Sequence, residues 1–375
     1  MLSSEPLHEI QARADAAAAS VTGAFARPLF RLPGTELAAV QSPAPRHVLP
    51  GPWHYWWQAH YVDALVDAAL RGAPDAARRA HVVVRSIRLR NGLRATNWYF
   101  DDMAWLALAV SRLDALVPAR RSGRQPDDGP RVPSVLPHPR MLAALTGALH
   151  TAHTMALGGG LYWNRRRSFK NTPATAPAAL HFARNGERER AQALVDWLNT
   201  TLLDPETGLY LDGIKPAEGG QPSNAVLERA VFTYNQGPVL GALLELGGPA
   251  NLARAADLIN AVRKELTHPG SSVLITHGTG DAGLFTGILC RYLASAAVSP
   301  TLPPDQRQEA AQLVDATASA LWEGRAKRGA RTVFSPHPLE PAERHYPAGT
   351  GVGLSTQLSA WIILEAAARI RRGLG

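Results

Sequence analysis

Cysteine is almost missing from these 375 residues. Cys290 stands alone, so no intramolecular disulfide can form, and no Cys/His pair sits at zinc-ligand spacing. Stability must come from packing. Lysine is nearly as scarce: it occurs only at Lys170, Lys215, Lys264 and Lys327, so 35 of the 39 basic residues are arginine. The surplus over 31 acids gives a net charge of +8, a balance that usually suggests nucleic acid or an anionic surface. Here the arginines are scattered over helix and loop sequence without a nucleic-acid-binding motif, and the excess reads as a GC-rich coding bias. No uncharged apolar run reaches 18 residues, so no membrane span is expected. The stretch Met1–Glu9 has neither a basic start nor an apolar continuation, which predicts no signal peptide and a cytoplasmic protein. A Gly-x-Ser-x-Gly elbow is absent, and Cys290 lies in the apolar run Ile288-Leu289-Cys290, so serine or cysteine nucleophilic chemistry is unsupported.

What the chain does have is apolar residues recurring at helical spacing, while alternating strand patterns are rare. With Pro, Gly, Asp and Asn as punctuation, helices are expected near 8–26, 55–71, 74–90, 101–116, 139–157, 175–185, 187–202, 226–246, 250–266, 282–297, 304–323 and 355–372. Twelve similar helices predict an all-α fold of six paired hairpins closed into an (α/α)6 toroid. No composition break marks a linker, so one domain over 1–375 is expected. Long Pro- and Gly-rich connections at 117–138, 158–174, 203–225, 267–281 and 325–354 alternate with short turns, which would gather them at one mouth.

The chemistry concentrates in Thr96-Asn97-Trp98-Tyr99-Phe100-Asp101-Asp102-Met103-Ala104-Trp105. Adjacent residues diverge by about 100° within a helix, so a working acid pair is easier at a helix start, where loop geometry can aim both side chains. A cap at Asp101 with a solvated Asp102 accounts for the bare dipeptide equally well. The flanking aromatics favour a cleft, where apolar walls and like charge drive two carboxyl pKa values apart. Upstream, Trp53-His54-Tyr55-Trp56-Trp57 suits either a sugar-stacking platform or core, with Trp56 and Trp57 as candidates. Polar-aromatic clusters follow at Trp163-Asn164, Phe169-Lys170-Asn171 and Phe232-Thr233-Tyr234-Asn235-Gln236-Gly237.

Taken together, Trp-Tyr-Phe-Asp-Asp-Met-Ala-Trp (98–105), Gly-Gly-Leu-Tyr-Trp-Asn (159–164), Phe-Lys-Asn (169–171), Gly-Leu-Tyr-Leu-Asp-Gly (208–213), Phe-Thr-Tyr-Asn-Gln-Gly (232–237) and Gly-Asp-Ala-Gly-Leu-Phe-Thr-Gly-Ile (280–288) resemble glycoside hydrolase family 76, the α-1,6-mannanases and their relatives. The resemblance spans roughly residues 10–370. It implies an (α/α)6 toroid, retention of anomeric configuration, Asp101 as nucleophile, Asp102 as general acid/base, and no metal or cofactor. It also implies an α-mannoside partner held by Trp56, Trp57, Asn97, Trp98, Tyr99, Trp163, Asn164, Lys170, Asn171, Tyr234, Asn235, Gln236, Asp281 and Phe285. Two departures stand out. Thr286 replaces the lysine expected after Phe285, and Arg165-Arg166-Arg167 follow the Trp-Asn pair, where they are solvated or meet an anionic glycan or glycolipid headgroup. A non-catalytic glycan binder, a glycan transferase or a sugar epimerase on the same toroid are the competing readings.

One further motif points elsewhere. Gly278-Thr279-Gly280-Asp281-Ala282-Gly283 matches the dinucleotide fingerprint and follows the strand-like Ser272–Thr276. It lacks the second parallel strand and the later acid, so a turn into a helix is expected instead.

Overall fold

The computed structural model describes residues 5–44, 52–117, 137–216 and 225–374. Its helices are α1 (Leu7–Phe25), α2 (Tyr55–Arg71), α3 (Ala76–Arg90), α4 (Phe100–Asp114), α5 (Pro139–Ala152), α6 (Thr172–Arg184), α7 (Arg188–Thr201), α8 (Thr233–Leu246), α9 (Gly248–Glu265), α10 (Phe285–Ala297), α11 (Pro304–Glu323), the single turn α12 (Ala342–His345) and α13 (Leu354–Leu374). The strands are short: β1 (Ala26–Arg27), β2 (Leu37–Ala38), β3 (Gln41–Ser42), β4 (Lys170–Asn171), β5 (Leu211–Lys215), β6 (Val226–Val231), β7 (Ala326–Arg328), β8 (Arg331–Val333) and β9 (Val352–Gly353).

Six helices form an inner ring. α2 packs on α4, α4 on α6, α6 on α8, α8 on α10, α10 on α13, and α13 returns to α2. The remaining long helices lie outside: α1 against α13, α3 against α2, α5 against α4, α7 against α6, α9 against α8, and α11 against α10. The fold is an all-α toroid. The two layers differ as their surroundings demand. Outer helix α3 buries the stripe Ala76, Ala80, Val83, Val84 and Ile87, together with Ser86, at amphipathic spacing. Inner helix α6 is buried all round from Thr172 to Ala183. Close packing within the ring requires small residues. A Cβ on Gly241 would sit 2.6 Å from the Tyr292 ring across the α8–α10 contact.

Charge within the ring is paired. Arg112 of α4 and Arg291 of α10 both bind Asp63 and Asp67 of α2, and Arg71 at the end of α2 binds Glu365 of α13. A buried charge needs such an opposite partner or a full set of hydrogen bonds.

Two expected boundaries move. The helix expected from 226 begins at Thr233, because residues 226–231 pair antiparallel with β5 as β6 and complete the sheet β4-β5-β6. The helix expected to run to 157 stops at Ala152, where residues 153–161 turn back through an isolated His153–Leu161 bridge. Ser272–Thr276 forms no strand beyond an isolated Thr267–Leu274 bridge, and Gly280–Leu284 is a 3-10 turn leading into α10. The dinucleotide geometry is therefore not built. Most of the 117–138 connection and part of 203–225 lie outside the described residues. Among the described residues, no helix is long and apolar enough to cross a membrane.

Candidate active site

The inner helices α2, α4, α6, α8 and α10 all begin at the same mouth. Their first residues, with the segments leading into them, line a cleft of about 710 Å³. Asp101 and Asp102 occupy the first turn of α4 on its floor. Both carboxyls are raised by burial, and they are held differently. The Trp163 indole Nε1 donates to Asp101 Oδ2 at 3.0 Å, and the first-turn amides of residues 101 and 102 also favour its ionised form. Even so, burial pushes Asp101 up to about 7. Asp102 is more enclosed. Its carboxyl accepts from the Asn97 side-chain amide, and burial together with the neighbouring Asp101 charge raises it well above the ordinary carboxylate range. The pair can hold one proton between two oxygens of unequal affinity, which is the requirement for simultaneous acid and nucleophile roles.

The walls are aromatic. Trp98 is 52% exposed and, with Tyr99 and Trp163, forms one side; the Tyr99 and Trp163 rings are tilted at 5.2 Å. Tyr234 stacks on Phe285 at 3.9 Å on another, and Trp56 lies beside Phe285. Exposed indole faces beside hydroxyl-rich ligand space suit the apolar faces of a pyranose. Besides the acid pair, the polar groups reaching the cleft include Asn91, Asn97, Asn171, Asp212 and Asp281. Asn171 also caps α6, accepting from the Ala174 amide.

Five residues expected to touch substrate stand behind this wall. Trp57 is buried and donates its indole N–H to Asp281 Oδ1 at 2.9 Å, so it aims that acid. Asn164 pairs through its backbone with Tyr99, and its side chain closes the turn by accepting from the Arg166 amide. Lys170 is fully buried, its ammonium donating to the carbonyls of Thr154, Ala156, Gly159 and Gly160. Desolvation lowers its pKa to about 8. Asn235 is buried and donates to Asp212 Oδ1. Gln236 ties α8 to the sheet through both backbone groups of Tyr210 and the Phe232 carbonyl.

Other cleft residues stand outside the set expected to hold substrate, although several lie in the stretches noted in the sequence: Asn91, Asp212, Phe169, Trp105, Trp53, Tyr55 and His54. Asp212 lies on β5, and burial raises its carboxyl to about 6. Gly213 marked the spot, since a Cβ there would lie 2.4 Å from the Lys170 carbonyl. Only glycine lets β4 approach β5 closely enough to carry Asp212 to the cleft. His54, stacked on Trp57, holds a left-handed φ of 38°, an unusual backbone for a non-glycine residue at a cleft edge.

No curated protein sequence matches the chain. Solved structures do. An α-1,6-mannanase from Salegentibacter sp. HEL1_6 superposes with a TM-score of 0.79 at 28% identity, covering 97% of this chain and 100% of that one. An inactive variant of that mannanase, with two consecutive aspartates changed to asparagine and bound to α-1,6-mannotriose, matches at 27% identity over 97% and 100% of the two chains, TM-score 0.79. Dfg5 from Chaetomium thermophilum, in complex with glucosamine, shares the fold at 18% identity, TM-score 0.68, over 97% of this chain and 90% of its own. The sequence profile of Glycosyl hydrolase family 76 matches residues 145–367, from within α5 through most of α13. With more than half its length under that profile and its whole ring built like the mannanase, this chain belongs to glycosyl hydrolase family 76 and is a glycoside hydrolase.

Proposed function

We propose that the enzyme cleaves α-1,6-mannosidic linkages with retention, Asp101 acting as nucleophile and Asp102 as general acid/base. The observation that carries this reading is the adjacent acid pair at the start of α4, each carboxyl held by a different donor inside an aromatic cleft. Asp101 has the donors that favour ionisation; Asp102 has the deeper burial and the like charge that keep its proton.

In the first step an Asp101 oxygen bonds to the anomeric carbon as the glycosidic C–O bond breaks, and the Asp102 proton passes to the departing oxygen. In the second, Asp102 takes a proton from water while that water's oxygen attacks the anomeric carbon, freeing the Asp101 carboxylate. The likeness to a mannanase that binds α-1,6-mannotriose supports the substrate class.

Product analysis on a graded series of α-1,6-mannooligosaccharides, with the first-formed anomer followed by proton NMR, tests the reading. Shorter α-configured products are expected from the native protein and none from Asp101→Asn. Binding without cleavage by the native protein would establish a glycan-binding protein instead. Longer products would establish a transferase, and interconversion of free sugars an epimerase.

A further inference from the structure

Beside the catalytic cleft lies a second hollow of about 580 Å³, lined by Asn91, Arg94, Thr96, Asn97, Trp98 and Arg165. It shares Asn91, Asn97 and Trp98 with the cleft, so the two spaces adjoin. We infer that this hollow is a subsite for a phosphate ester carried on the glycan, with Arg94 and Arg165 supplying the donors. The inference rests on the glycan-cleaving reading above and adds a charged determinant to its substrate.

Both arginines are presented by built structure. Arg94 sits on a tight loop in which Gly92 and Leu93 are both left-handed, with φ of 66° and 63°. The Asn91 side chain fixes that loop by donating to the carbonyls of Arg94 at 3.0 Å and Thr96 at 2.9 Å. Arg165 is held at its other side. Its backbone amide bonds the Trp98 carbonyl at 3.1 Å, its Nε donates to the Asn97 carbonyl at 3.0 Å, and its guanidinium lies 5.7 Å from the Phe100 ring centre. Among the described residues only Nε is used, which leaves the terminal nitrogens for a ligand.

Charge makes the case specific. Among the described residues, no carboxylate pairs with Arg94 or Arg165, whereas Arg71, Arg112 and Arg291 inside the ring are each matched to acids. Arg167 is different: it donates to the Thr151 carbonyl and lies against Tyr162, away from this hollow. The cleft itself contains Asp101, Asp102, Asp212 and Asp281, a concentration of acid that repels an anionic glycan except where its charge falls at the arginine end. Two guanidinium groups from separate segments can engage a tetrahedral oxyanion from two directions with charge-assisted bonds. Trp98, exposed between the two spaces, offers a face for the sugar that bears it.

The test titrates the Asp101→Asn protein with α-1,6-mannotetraose and with the same tetrasaccharide phosphorylated at either end, read by quenching of tryptophan fluorescence. One phosphorylated form is expected to bind about tenfold more tightly than the neutral one at low ionic strength, with the gain lost at high salt and on Arg94→Gln. Arg94→Gln in the otherwise native enzyme leaves turnover of the neutral tetrasaccharide unchanged. Equal affinity for neutral and phosphorylated forms overturns the proposal, as does a gain that survives combined Arg94→Gln and Arg165→Gln. Arg94-dependent binding to vesicles of anionic phospholipid, without preference for phosphorylated tetrasaccharide, overturns it in favour of a lipid headgroup. Mannose 6-phosphate against mannose repeats the comparison without presuming the linkage, so failure of α-1,6-mannotetraose to bind or be cleaved sinks the substrate reading alone.

Discussion

The indole of Trp163 hands its only hydrogen-bond donor to Asp101, 3.0 Å away and across 62 residues of sequence. This contact opposes the burial that pushes the Asp101 carboxyl up to about 7. Trp163→Phe keeps most of the ring and removes the donor. The carboxyl then rises further, so the acid limb of the kcat/KM profile shifts to higher pH, and activity near neutrality falls by about tenfold. A pH profile of the variant checks this; an unmoved limb denies the contact its role.

The acid pair also predicts a trade between activity and stability. Asp101→Asn and Asp102→Asn are each expected to lower kcat by at least about a thousandfold. Folded-state pKa values raised above the unfolded ones mean that the stability these groups contribute is complete below the ordinary carboxylate range and is lost as pH rises through the folded values, about 7 for Asp101 and well above the ordinary range for Asp102. Removing the charge therefore stabilises. The double asparagine variant should melt roughly 3 °C or more above the native enzyme at about pH 8, with the gap closing as the pH falls towards 5. Thermal melts across that range decide it.

Lys170→Met leaves four carbonyl groups without their shared donor, in the loop that leads into Trp163. A loss of about 3 kcal/mol or more is expected, seen as a fall in Tm of roughly 4 °C or more. Retained stability would show that water can replace the ammonium.

Gly213→Ala tests the sheet beside the cleft. Its Cβ would meet the Lys170 carbonyl and the Phe169 ring, so β4 and β5 must part and Asp212 must move. Activity on α-1,6-mannotetraose should fall by about tenfold or more while the helical circular dichroism stays near native, because the ring does not depend on this sheet. Unchanged kinetics would mean that Asp212 is not needed where it stands.

The ring was legible because its evidence is local. Stripes such as Ala76, Ala80, Val83 and Ile87 repeat within one helix, and the count of such helices gives the closure. The acid pair was legible for a similar reason, as an odd dipeptide in aromatic company. What stayed hidden depends on contacts far apart in the chain. Nothing near Trp57 reveals that its indole turns outward to Asp281, and nothing near Lys170 reveals four carbonyls folded back upon it. Residues 226–231 carry apolar positions that fit a helix until β5 is available to pair with them. Asp212 lay within a quoted motif but without a site role, because a strand of five residues, Leu211–Lys215, is too short to stand out among turn signals and show where its side chains go.

The ring closes only where α13 meets both α10 and α2. During synthesis the first helices must therefore wait with an unsatisfied flank until the last ones arrive, since Arg71 finds Glu365 across 294 residues and Trp57 finds Asp281 across 224. Contacts of such span form late and slowly. The half-made chain thus has neither a finished interior nor a working pocket, and catalytic competence arrives in one step, when the circle shuts.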